Sequence, residues 1–351
     1  MELSDAPGTQ GFLMPAEWEL HARTWMAWPC RVEAWGDGAR MGRAKAAYAR
    51  VAQAIAVHEA VTMVTRKDDA SEAEAACGPA VQILPASIDD SWIRDTGPLF
   101  VAKGAGRARE IAGTDWQFNA WGRKYKGFSR DDALPEQLLS HLAIPRSAAR
   151  MVLEGGAVNS DGDGTLLTTE ECVLNPNRNA KFTRAKAEEM FARYLGIRKV
   201  IWLPFGFDDD ETDGHVDNVA AFAGVGRVLL HTAAESGDSM VARSQANANA
   251  LKGAVDAKGR KIEIVRVPAP KREIGWNGRK LPASYLNFYV SNGGIYIPQF
   301  NDPLDRTALK IIGDCFPMRK IVPLPANDII VGGGGIHCIT QQQPAGVPAR
   351  I

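Results

Sequence analysis

Near the C-terminal end of this 351-residue chain, four glycines precede a histidine and a cysteine: Gly332-Gly333-Gly334-Gly335-Ile336-His337-Cys338. Glycines forfeit backbone entropy in a helix or strand, so such a run suits a place where the main chain approaches something closely. That makes Cys338 a candidate for covalent catalysis, although a buried structural cysteine could also follow a flexible turn. The polar Thr340-Gln341-Gln342-Gln343 that follows favours the catalytic reading. Cys30, Cys77, Cys172 and Cys315 read as ordinary buried cysteines; five scattered thiols with no CxxC pair suit neither a disulfide framework nor a thiolate zinc site.

A nucleophile needs an acid/base partner. His337 is a neighbour, but adjacent residues of an extended chain face opposite ways, which makes it a poor base. His215 is better: in His215-Val216-Asp217 the imidazole and the carboxylate would share one face of a strand. The preceding acidic run, 208–213, reads as a solvated loop or as a lure for a cationic substrate, with Glu211 its candidate binding residue. In Trp92-Ile93-Arg94-Asp95, the tryptophan and aspartate could be core and surface residues, or Asp95 could grip a cation while Trp92 packs on the substrate. Glu154 stands before two glycines, Gly155 and Gly156. Asp89 and Gly333, from the first and last of these polar stretches, complete the expected substrate-binding set. Asp161-Gly162-Asp163-Gly164 lacks the twelfth-position glutamate of a calcium loop and reads as a hairpin turn. The Gly332–335 run lacks the Lys-Ser/Thr of a phosphate-binding loop.

The elements that must hold these residues read as α/β. Helices are expected over 40–58, 183–195, 240–252 and 305–315, with Thr183 as N-cap and Gly196 as stop for the second. Strand pairs are expected at 97–101 with 110–112, 157–159 with 165–169, 216–223 with 228–231, and 286–291 with 295–299, and a last strand at 328–331. The hairpins recur roughly every 50 to 70 residues, which suggests repeated strand–helix units. No linker divides the chain, so a single domain over 1–351 is expected. Basic and acidic residues balance at 41 each, giving no support for a nucleic-acid or membrane surface. No apolar run reaches the roughly 20 residues of a membrane span, and the N-terminal segment does not read as a secretory signal, so a cytoplasmic protein is expected.

In order along the chain, MPAEWELHARTWMAWP (14–29), DDSWIRDTGP (89–98), NAWGRKY (119–125), LEGG (153–156), GTLLTTEECVLNPNRN (164–179), ETDGHVDN (211–218), NFYVSNGGIYIPQFNDP (287–303) and GGGGIHCITQQQP (332–344) resemble the agmatine deiminase family, within the guanidine-modifying pentein-fold enzymes. The resemblance implies five αβ modules around a pseudo-fivefold axis, an α/β propeller with the active site at the axis. It implies Cys338 as nucleophile, His215 as acid/base, and Asp95 and Asp217 as the carboxylates on the guanidinium. Glu154 would support the histidine, Trp92 would pack on the substrate and Glu211 would face its distal amine. Neither metal nor organic cofactor is implied, and the product would enter polyamine (putrescine) biosynthesis. Gly335 and Asn159 depart from the family pattern, which bears on the pocket wall. Peptidyl-arginine deiminases share these motifs but are typically exported; amidinotransferases use a similar cysteine; a silent polyamine-binding module would need only the carboxylates. A homo-oligomer is expected by analogy alone.

Overall fold

A computed structural model describes residues 2–349, apart from 4, 234–238 and 277. Its organising unit is an antiparallel strand pair followed, through a helical crossover, by a third strand parallel to the second. Parallel strands cannot be joined by a tight turn, which is why a helix intervenes each time. Leu99–Lys103, Glu110–Gln117 and Arg146–Val152 form one such sheet, with helix Leu134–His141 in the crossover. Val158–Ser160, Thr165–Thr169 and Lys199–Leu203 form the next, with helix Arg184–Leu195. Ala220–Phe222, Arg227–Thr232 and Glu263–Pro268 follow, with helix Ser239–Leu251. Tyr289–Val290, Gly294–Gln299 and Lys320–Pro325 make the fourth, with helix Asp305–Cys315.

The fifth module is split between the chain ends. Gln341–Pro344 pairs antiparallel with His21–Ala27, which lies parallel to Val61–Thr65 and through it to Val81–Pro85. The C-terminal strand thus joins the N-terminal module and closes the set of five. Its first crossover holds helix Gly38–Ala56, whose N-cap Asp37 accepts from Arg40 N at 2.8 Å. Thr183 caps the second module's helix and Gly196, with φ of 69°, ends it, both as expected.

One expected strand is absent and another is shorter than expected. Residues 328–330 fall in a helical turn, Asn327–Ile330, which Val331 caps, because the fourth module's sheet already ends at Pro325 and Ala326 O accepts from Ile329 N and Ile330 N. The strand expected from 216 begins only at Ala220; Val216–Asn218 forms a 3-10 turn closed by Val219 N on Val216 O. Asp161 turns the 158–169 hairpin as expected, its Oδ1 accepting from Asp163 N and Thr165 N, each at 2.8 Å.

One apolar cluster runs from Trp28, Trp35 and Tyr48 through Trp92 and Trp121 to Cys338. The cysteine therefore emerges from close-packed core, which fixes its position far better than a mobile loop would. Among the described residues, no helix is long and apolar enough to cross a membrane.

Candidate active site

A cleft of about 400 Å³, its mouth included, opens where the strand-end loops meet, with Trp92, Asp95, Trp121, Glu211 and Cys338 on its walls. Gly332, Gly333 and Gly334 form one side. A side chain at Gly332 or Gly334 would strike the Trp92 ring at 2.9 or 2.7 Å, so the glycines let the main chain lie against the indole. Trp92 itself stacks on Trp35, with ring centroids 5.8 Å apart.

Asp95 sits on the single helical turn Ile93–Thr96, buried. Its Oδ2 accepts from Trp121 Nε1 and its Oδ1 from Gly156 N, both at 2.9 Å. Burial, and the nearby carboxylates of Asp217 and Glu154, push its pKa up despite His215. Asp217 Oδ2 lies 3.0 Å from His337 Nδ1, and its buried Oδ1 has no hydrogen-bond partner among the described residues. Burial would raise the Asp217 pKa, but the His337 hydrogen bond and the His337, His215 and Arg94 charges hold it below the usual range.

Gly156 shows how closely these groups converge. A Cβ there would lie 2.5 Å from His215 Nδ1 and 3.0 Å from both Asp217 Oδ2 and Asp95 Oδ1. The imidazole and the two carboxylates therefore face one small volume. His215 is fully buried, its Nδ1 3.8 Å from Asp95 Oδ1 and its Nε2 3.9 Å from Glu154 Oε2. Burial works against its charge, yet the Asp95 carboxylate, Cys172 and Glu154 raise its pKa well above the ordinary value. Its shared face with Asp217 arises from the 3-10 turn, not from a strand.

Glu154 is held at about 2 because, against the effect of burial, Arg178 and His215 favour its anion. Arg178 Nε donates to Glu154 Oε1 at 2.6 Å, while its Nη2 reaches Thr212 O at 2.7 Å. Among the described residues, Glu154, Cys172 and His215 are the group that could approach a metal, with ligand atoms within 4.8 Å of one another. Arg178 already neutralises that glutamate.

Cys338 is buried, with Sγ 3.2 Å from Asn287 Nδ2 and 3.5 Å from Asp217 Oδ2. Burial, then Asp217 and Asp95, push its thiol well above the ordinary range. In the free protein the thiol is therefore neutral, and a cation between the two aspartates would remove that penalty. Residues 336–339 form a turn, so His337 and Cys338 both reach Asp217 instead of facing opposite ways. His337 stands behind the carboxylate, its Nε2 2.9 Å from Glu17 Oε1, and does not enter the cleft as a base.

At the mouth, Glu211 Oε2 accepts from Tyr125 OH at 2.5 Å, and Gly333, with φ of 102°, passes beside it. The acidic run is an ordered loop: Asp210 bonds Thr212, Asp208 pairs with Arg243, and Asp213 pairs with Arg178 and Lys124. Asp89 is not brought into the cleft; its carboxylate accepts from Arg130 N at 2.9 Å, and its neighbour Asp90 lines the wall instead. Asn159 is not wall either, since its amide joins Glu17 Oε1 to Phe222 N. Arg178, Asn287, Tyr125, Trp121 and Glu17 do not stand out in the sequence by type. All five lie inside the quoted motifs (164–179, 287–303, 119–125 and 14–29), but only tertiary contact gives them a role.

Five hairpin–helix–strand modules around a cysteine, a histidine and paired carboxylates define the pentein class of guanidine-modifying enzymes. The chain superposes on an agmatine deiminase of Enterococcus faecalis with a TM-score of 0.93 at 33% identity, covering 98% of this chain and 99% of that one. A dimethylarginine dimethylaminohydrolase shares the fold alone, with a TM-score of 0.50 and 11% identity over 92% of this chain and all of that one. The family described as Porphyromonas-type peptidyl-arginine deiminase matches residues 13–344. A putative agmatine deiminase of Legionella pneumophila is 43% identical over 98% of both chains, and an agmatine deiminase of Stutzerimonas stutzeri 42% identical, also over 98% of both. The chain belongs to the agmatine deiminase family.

Proposed function

We propose that this chain hydrolyses agmatine to N-carbamoylputrescine and ammonia through a covalent amidino-cysteine intermediate, as one catalytic domain over its whole length. The observation that carries this reading is the convergence of Asp95, Asp217 and His215 on one point beside the Cys338 sulfur. A guanidinium carbon is a poor electrophile, because three nitrogens share its charge. Two carboxylates that accept its N–H groups fix its plane and turn its carbon face toward the sulfur. The free Oδ1 of Asp217 suits that task.

The bound cation favours loss of the Cys338 proton to water. Sγ then forms the C–S bond, and the guanidinium π pair moves onto nitrogen. His215, charged at rest, donates its proton to the departing nitrogen, and ammonia leaves a cationic amidino-thioether. Neutral His215 next takes a proton from water as the oxygen attacks the same carbon. The C–S pair returns to sulfur, the ureido product gives up its extra proton, and the imidazolium is restored. Glu154, itself paired with Arg178, sits beside His215 and supports its charged form.

Glu211 at the mouth suits the distal ammonium of agmatine and disfavours the carboxylate that arginine would bring there. Trp92 offers its ring to the aliphatic chain between the two cations. The five unpaired cysteines fit a reducing cytoplasm, where this account places the protein. A homo-oligomer remains part of the proposal. Rapid quenching with agmatine, followed by intact mass measurement, tests the covalent route. The expected adduct adds agmatine less ammonia, on the Cys338 peptide, and is lost in Cys338→Ser; turnover by Cys338→Ser at near the normal rate would refute it.

A further inference from the structure

We propose that Asn287 is a further catalytic residue, its side-chain amide donating to the Cys338 sulfur so as to hold the thiolate for attack and receive it again when the C–S bond breaks. The inference rests on the covalent reading above. Asn287 lies in the segment before the fourth module's hairpin and is 1% exposed. Its Oδ1 accepts from His337 N at 2.9 Å, which fixes the amide orientation, because a backbone N–H can only donate. The Nδ2 end is thereby turned to Asn218 Oδ1 at 3.0 Å and Cys338 Sγ at 3.2 Å. One amide thus ties the reactive sulfur to the turn that carries Asp217.

The neighbouring glycine makes room for this contact. A Cβ at Gly335 would lie 2.4 Å from Asn287 Oδ1, so any side chain there displaces the amide. The sulfur's charged neighbour is the Asp217 carboxylate at 3.5 Å, which opposes a negative sulfur until the substrate cation arrives, and the protonated thiol also lies 3.5 Å from Asn287 Oδ1. A neutral N–H donor favours the thiolate both before and during attack. During the first step the sulfur lone pair becomes the C–S bond. During the last step that pair returns to sulfur, and the same N–H meets it again.

The test compares wild type with Asn287→Ala, Asn287→Asp and Gly335→Ala. Two readouts are taken: steady-state kinetics with agmatine, and the pH dependence of iodoacetamide alkylation followed at the Cys338 peptide. In Asn287→Ala the alkylation midpoint should rise by about one pH unit, and kcat should fall about 10- to 100-fold with KM changed less than about threefold. Asn287→Asp should raise the midpoint further, since it sets a third carboxylate against the sulfur. Gly335→Ala retains the amide but pushes it aside, and should move both readouts the same way with a smaller loss. A lowered melting temperature with an unmoved alkylation midpoint in all three variants would overturn the proposal in favour of a purely structural role. If wild type fails to turn over agmatine, the covalent reading falls by itself, while the alkylation midpoints still report on Asn287.

Discussion

His337 Nδ1 stands 3.0 Å from Asp217 Oδ2, and its Nε2 2.9 Å from Glu17 Oε1, with all three side chains buried. The imidazole joins two carboxylates behind the cleft. Burial and Arg94 lower its pKa, but Glu17 and Asp217 outweigh them and hold it above the ordinary value, which favours the imidazolium. That charge keeps Asp217 ionised; the imidazole engages Oδ2, which also lies 3.5 Å from Cys338 Sγ, and the buried Oδ1 keeps its acceptor capacity for substrate.

His337→Gln should therefore raise the Asp217 pKa, because burial then acts with less opposition. Guanidinium binding needs the anion, so the acid limb of kcat/KM should move to higher pH, with a loss of about 100-fold near neutrality. The stability consequence has a definite sign. Glu17, at about 2, and Asp217 have folded pKa values below their unfolded ones. Their contribution is present above the unfolded carboxylate range and is lost as pH falls toward 2. Removing one partner of a buried ionic set costs about 3–5 kcal/mol, which a urea titration at pH 7 would read. An acid limb that stays in place would contradict the role given to His337.

Gly156→Ala tests the convergence itself. The new methyl would meet His215 Nδ1 at 2.5 Å and both aspartates at 3.0 Å. Activity should fall by at least about 100-fold, since small displacements of reacting groups cost that much. Normal turnover by a folded Gly156→Ala protein would show that these groups do not act at one point.

Glu211→Gln removes the charge at the mouth and keeps the shape. KM for agmatine should rise roughly tenfold while kcat changes little, because the contact is the same in ground and transition states. Tyr125→Phe, which deletes the 2.5 Å hydroxyl contact to Glu211, should raise KM in the same direction by less. An unchanged KM in Glu211→Gln would remove the distal-amine role.

Asp131 offers a stability prediction away from the chemistry. Its carboxyl, pushed up to about 7 by burial and by the Asp90 and Asp89 charges, accepts from Asp89 N and Asp90 N and so shapes the loop leading to Trp92. The folded state binds this proton more tightly than the unfolded state. Stability from this group is full below the unfolded value of about 4 and declines as pH rises through 7. Asp131→Asn keeps an acceptor for both N–H groups and should flatten that decline in melting temperature between pH 5 and 8. An identical pH slope in the variant would show that Asp131 titrates elsewhere.

Local signals carried much of the fold. The helix 305–315 was expected at the bounds found, and the helix at 184–195 was legible from Thr183 and Gly196. The hairpin around 158–169 follows from turn chemistry at 161–164, and the pair expected at 97–101 with 110–112 is found as Leu99–Lys103 with Glu110–Gln117. The fifth module was expected only from the family resemblance, because Gln341–Pro344 and His21–Ala27 are separated by nearly the whole chain and share no turn. At the site, Cys338, His215, Asp95 and Asp217 stand out by type and by glycine neighbours, and the structure brings them together. Glu17 and Asn287 do not, since each acts by touching another side chain far away in sequence. Asp89 was chosen over Asp90 in a doublet where one residue's rotation decides which carboxylate faces inward.

The most direct measurement is the release of ammonia and ureido product by the purified protein, given agmatine, free arginine and an arginine-containing peptide side by side. The account predicts conversion of agmatine with kcat/KM at least about 100-fold above the other two, as expected when a like charge is set against Glu211. No conversion of any of the three by folded protein with Cys338 reduced would contradict the deiminase reading, and equal conversion of the peptide would contradict the pocket described at Glu211.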